Sequence, residues 1–106
     1  MPKYLIEGSY TVDGIKGVLK EGGSGRREAV TAALKSLGGK LEAMYYAFGD
    51  VDVYVIVDAP DNVTMAALAM GISATGTVAV KTTVLMTVDE IDQAGKKTLS
   101  YRAPGR

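Results

Sequence analysis

Between Leu41 and Val57 two extended runs stand back to back, Leu41 to Phe48 (LEAMYYAF) and Val51 to Val57 (VDVYVIV), parted only by Gly49-Asp50. This spacing predicts an antiparallel hairpin, because glycine beside aspartate tolerates the positive dihedrals of a tight turn. The second run is apolar on both faces at Val53, Tyr54, Val55 and Ile56. A strand of that kind belongs in the middle of a sheet, covered on both sides. Further strands and a covering layer must therefore come from the flanking sequence.

Lys3 to Thr11 (KYLIEGSYT) alternates, with Tyr4, Ile6 and Tyr10 on one side and Leu5, Glu7 and Ser9 on the other. That period of two predicts a first strand. Thr11 or Asp13 then caps a helix with Ile15, Val18 and Leu19 along one face. The helix falters at Gly22-Gly23-Ser24-Gly25, where Ser24 offers a fresh N-cap, and resumes with Ala29, Val30, Ala33, Leu34 and Leu37. Gly38-Gly39 stops it. On the far side of the hairpin, Pro60 ends the extended run and Asp61 or Asn62 caps a helix to about Ala74. Its residues are nearly all small or apolar, which predicts burial on more than one side. Thr77 to Met86 (TVAVKTTVLM) reads as the last strand. Thr87-Val88-Asp89-Glu90 has the form of a capping box opening a short amphipathic helix with Val88, Ile91 and Ala94 on one face. Residues 1–97 make the domain, and 98–106 a loose tail or an arm laid on a neighbour.

The order β-α-β-β-α-β-α closes into a four-stranded antiparallel sheet with helices on one face. This is the ferredoxin-like α+β plan, with strands in the order 4-1-3-2 and an extra C-terminal helix. One face of such a sheet stays uncovered. Val51, Val53, Val55 and Val57 are assigned to the helices, and the open face gathers Leu5, Met44, Tyr46, Phe48, Tyr54, Ile56 and Leu85. That patch exceeds the few hundred Å² (roughly) that a monomer normally exposes, so a second copy packed on it, as a two-fold dimer, is expected.

Composition narrows the chemistry. The chain of 106 residues has no Cys, His or Trp. Disulfides, thiolate nucleophiles, Cys/His zinc sites and histidine triads are thereby excluded. Twelve Lys and Arg balance twelve Asp and Glu, which argues against a nucleic-acid partner, whose phosphates demand a basic surface. The longest apolar stretch, near Met65 to Ile72, is far short of the roughly 20 residues of a membrane span. The opening residues are charged too early for a signal peptide, so a cytoplasmic protein is expected.

Several blocks carry a likeness. Tyr4-Leu5-Ile6-Glu7-Gly8-Ser9-Tyr10-Thr11, Gly14 to Arg27 (GIKGVLKEGGSGRR), Leu37 to Ala43 (LGGKLEA), Ala47 to Asp52 (AFGDVD), Val57 to Asn62 (VDAPDN) and Val80-Lys81-Thr82-Thr83 resemble the GYD domain family. The likeness runs to about Lys97. It implies a small protein of bacterial or archaeal type, near the dimeric α+β barrel group, with no settled activity attached. Where the family tends to have tyrosine before the aspartate of its signature, this chain has Val51. A role for that hydroxyl is absent here or has moved, with Tyr54 the nearby replacement.

Three constellations are candidates for chemistry. Gly23, Ser24, Arg26 and Arg27 put backbone amides at a helix start beside two guanidiniums, the makings of an anion site, although a flexible break with solvated arginines uses the same residues. Glu7, Tyr54, Lys81 and Asp52, with Ser9, are the polar groups of the sheet. In order 4-1-3-2 Glu7 lies between Tyr54 and Lys81, where such groups shift one another's pKa for acid–base work, or form a cross-strand pair that merely fixes register. Tyr46 and Phe48 are candidate pocket walls. Asp50, Asp52, Asp58 and Asp61 lack the spacing of a cation loop, so no metal and no cofactor is expected. The leading expectation is a homo-oligomeric domain that binds a small molecule or acts as an interaction module. The alternatives are a cofactor-independent isomerase or oxygenase using Glu7, Tyr54 and Lys81, and a purely structural or regulatory assembly protein using the helix from Asp61 to Ala74 as its contact surface.

Overall fold

The computed structural model describes residues 1–106. Its elements are β1 (Lys3–Tyr10), α1 (Val12–Ser36), β2 (Lys40–Tyr46), β3 (Val53–Asp58), α2 (Asn62–Ser73), β4 (Val78–Leu85) and α3 (Val88–Gly95). The four strands form one antiparallel sheet in the order β2-β3-β1-β4, which is the expected 4-1-3-2 arrangement. Helices α1 and α2 lie on one face. No helix is long and apolar enough to cross a membrane.

Burial follows the period of two along the central strands. Tyr4 and Ile6 of β1 and Val53, Val55 and Val57 of β3 are buried together with Leu34 of α1, Ala59, and Met65 and Leu68 of α2. These residues are the core. Each is apolar except for the Tyr4 hydroxyl, which donates to Asn62 Oδ1 at 2.6 Å. A buried phenol needs such a partner.

The first helix is broken where the glycines cluster, but Ser24 is not the new cap. Gly22 is the one residue inside α1 with non-helical angles, at φ 77°, ψ 167°. A positive φ of that size suits glycine and strains most other residues, so the turn falls on Gly22 and Ser24 sits within the resumed helix. At the start of α1, the Thr11 hydroxyl accepts from the Gly14 amide at 3.2 Å. Asp61 caps α2 by accepting from the Thr64 amide at 2.8 Å, and that bond holds the Asp61 carboxyl below its ordinary range. The capping box of α3 is complete: Thr87 Oγ1 accepts from the Glu90 amide at 3.1 Å, and Glu90 Oε1 accepts from the Thr87 amide at 2.8 Å.

Three further expectations need correcting. The strands of the hairpin stop at Tyr46 and resume at Val53, so residues 47–52 form a longer connection rather than a two-residue turn. It is tied down from below: the Ala47 amide donates to the Asp52 carbonyl at 2.8 Å, and the Asp52 amide to the Gly8 carbonyl at 2.9 Å. Phe48, placed on the open face by strand parity, lies in this connection and is fully exposed. Second, the pairing of β2 with β3 shifts between Leu41 and Ala43, where Glu42 is the extra residue of a bulge. One inserted residue reverses the facing of everything beyond it. Met44 and Tyr46 therefore pair opposite Val55 and Val53 on the helix side, and Tyr45 faces the open side opposite Tyr54. Third, α2 is buried on one side only; Val63 and Met70 are exposed on its outer side.

Candidate functional site

The open face takes one residue in two from each strand. Leu5 of β1 is flanked by Ile56 of β3 and Thr83 of β4, and Glu7 by Tyr54 and Lys81. Ala43 and Tyr45 of β2 continue the surface beyond Ile56 and Tyr54. Leu85 stands at the end of β4, opposite Lys3. Leu5, Ile56 and Leu85 are half-buried. Of the seven apolar residues assigned to this face, Leu5, Tyr54, Ile56 and Leu85 are found there.

Glu7, Tyr54 and Lys81 are thus adjacent in register, as the strand order requires. No hydrogen bond or ion pair joins them: the ion pairs of the chain are Lys3–Glu42 at 3.0 Å, Lys3–Asp58 at 2.9 Å and Arg26–Glu21 at 3.4 Å. None of the principal clefts of the single chain is lined by any of the three. The charge pair that does organise this face is the one around Lys3, whose ammonium reaches two strands at once and is held above its ordinary pKa first by the Asp58 hydrogen bond and then by Glu42. Asp52 stands apart from Glu7. Its Oδ2 accepts from the Tyr10 amide at 2.8 Å, fastening the end of β1 to the connection after β2. Ser9 likewise donates to the Asp50 carbonyl at 2.6 Å. With Asp58 on Lys3 and Asp61 capping α2, no three carboxylates converge on a common point.

The second cluster gathers at the break in α1. A cleft of about 110 Å³ is lined by Tyr10, Asp13, Gly14, Gly17, Glu21, Arg26 and Thr77. Another, of about 160 Å³, lies among Gly23, Ser24, Arg27, Met44 and Tyr46. A third, of about 270 Å³, has Tyr46 and Phe48 in its walls with Tyr10, Ile15 and Val18. The arginines and the aromatics, read from the sequence as separate candidates, are therefore neighbours, and Tyr46 is the residue they share. Arg26 is turned toward Glu21, while Arg27 has no ion-pair partner.

Tyr10 completes this cluster and was not among the candidates. Its phenol is pushed well above the ordinary value of 10.0, first by burial and then by the neighbouring Tyr46 hydroxyl, with Arg26 pulling the other way. The available signal was its parity: Tyr10 shares a face with Tyr4 and Ile6. Tyr46 was misplaced by the bulge, so the pair was invisible to alternation.

A family model for the GYD domain matches residues 4–94. The chain belongs to that family. No curated protein and no solved structure matches it.

Proposed function

We propose that this chain is a self-associating interaction domain, in which two copies press their open sheet faces together. One observation carries the reading: Leu5 and Ile56 pair at the middle of the open face, with Tyr54 two residues along β3 and Leu85 diagonal to Leu5, and these apolar side chains lie on the face opposite the buried core. Burying them releases about 25 cal/mol per Å² of apolar surface, and a matching copy is the simplest cover for them. Glu7 and Lys81, flanking them, remain free to pair across the joint. Sedimentation of the purified chain at micromolar concentration tests this. A dimer is expected, converted to monomer by Ile56→Lys with the fold intact by circular dichroism; a wild-type chain that sediments as a clean monomer overturns the reading.

A second activity is favoured by the cluster at the break in α1. Guanidinium, serine hydroxyl and aromatic walls meet around Tyr46, which suits a small anion bearing an apolar part. The individual clefts fall below the roughly 300–1,000 Å³ usual for drug-sized ligands, so the guest is small. Titration with inorganic phosphate and with benzoate, followed by tyrosine fluorescence, should show saturable binding that Arg27→Ala abolishes. Saturation unaltered in that variant removes the site. The isomerase or oxygenase alternative draws no support from one protomer, because Glu7, Tyr54 and Lys81 neither bond to one another nor border a principal cleft.

A further inference from the structure

Beyond Leu85 the chain leaves the body of the molecule. The overall extents are 58 × 32 × 22 Å and the radius of gyration is 17.0 Å, against about 13 Å for a compact chain near this length. Every residue from Met86 to Arg102 is exposed, and α3 buries none of its eight residues. Isolated helices shorter than about 12–15 residues are marginal in water, even when well capped. α3 buries nothing against its own chain, so a surface outside the chain would supply stability that its length does not.

Its composition says which surface. Val88 and Ile91, 79% and 55% exposed, lie on one side of the helix with Ala94. Leu99 and Tyr101 follow in the tail, also exposed. Charge is segregated along the same segment: Asp89, Glu90 and Asp92 are in the helix, while Lys96, Lys97, Arg102 and Arg106 follow it without an acid among them. A segment with an acidic first half and a basic second half is complementary to itself when laid antiparallel. A two-fold axis produces that arrangement, because an isologous contact sets each half against the other half of the copy. The acidic helix of one arm then runs along the basic tail of the other, and the apolar stripe meets the leucine and tyrosine of that tail.

We propose that residues 86–106 are a clasp that grips a second copy of this chain, arm against arm. The inference rests on the self-association described above and extends it, since the arm departs from the Leu85 end of the same open face. The clasp adds apolar area at the rim of the joint and lets opposite charges find their register.

The full-length chain tests it by sedimentation across a concentration series. Ile91→Asp places a charge in the stripe and should raise the dimer dissociation constant at least tenfold. Gln93→Asp places the same charge on the other side of the same helix and should change it less than twofold. Replacing Ile91 by the photoreactive p-benzoylphenylalanine should give adducts of twice the chain mass on irradiation. A wild-type dimer whose dissociation constant is unmoved by Ile91→Asp, or cross-links confined within single chains, overturns the clasp and leaves the sheet-face dimer standing. A monomeric wild type overturns both.

Discussion

Val57 and Ile56 are neighbours in β3 and nearly equal in greasiness, yet Val57 is wholly buried while Ile56 keeps part of its surface wet. The same contrast repeats along β1, where Tyr4 and Ile6 point under the helices and Leu5 points away. The covered side is a finished core, with one polar atom satisfied and no orphaned side-chain nitrogen or oxygen. The open side sets Leu5, Tyr54, Ile56 and Leu85 among the charged Lys3, Glu7, Asp58 and Lys81. Which side an apolar residue joins is decided by parity, and residue type alone does not separate Ile56 from Val57.

The largest test of the contrast is a pair of truncations. Leu34→Ala, on the buried face of α1, should cost about 2–5 kcal/mol in urea unfolding. Ile56→Ala should cost about 1 kcal/mol or less when measured on dilute protein, where surface-like positions contribute little. The second loss should grow as protein concentration rises, because association stabilises by mass action. Equal losses at every concentration would erase the distinction between the faces.

A smaller effect probes how tightly the covered side is fitted. A Cβ on Gly14 would stand 1.9 Å from the Thr77 carbonyl oxygen, whereas one on Gly17 meets nothing within 4 Å. Gly14→Ala should therefore destabilise by about 1–3 kcal/mol. Gly17→Ala, a turn further along the same helix, should stabilise by about 0.5–1 kcal/mol through the backbone entropy that glycine forfeits. Thermal melts of the two variants should move in opposite directions.

The smallest effect is a pH dependence. Tyr10 holds its proton more tightly folded than unfolded, so the unfolded chain releases it first as pH rises past about 10. Stability from this source is complete below that pH and is lost above it. Unfolding free energy should decline less steeply between pH 10 and 11 in Tyr10→Phe than in the natural chain. Identical slopes would mean that the Tyr10 hydroxyl is not sheltered.

Much of this architecture was legible beforehand, and the reasons are specific. Alternation in KYLIEGSYT assigns β1 to its two faces without error, because its pairing with β3 and β4 is regular from end to end. Thr11, Asp61 and the Thr87/Glu90 pair announce their helices, since a capping side chain acts within three residues of itself. Where the reading failed, a non-local contact decided. Bonds from Ala47 to Asp52 and from Asp52 to Gly8 open the hairpin, and nothing in Gly49-Asp50 reveals them. The cluster around Tyr10 and Tyr46 was hidden for the same reason, because it requires the end of β1, the end of β2 and the break in α1 to meet.

The extra residue at Glu42 separates the length of β2 from its facing. Removing it would let the ladder run on regularly from Leu41 to Ala43, with Met44 and Tyr46 still opposite Val55 and Val53. Deletion of Glu42 should therefore leave the tyrosine cluster in place and take away only the local bend of the bulge and the carboxylate that Glu42 lends to Lys3.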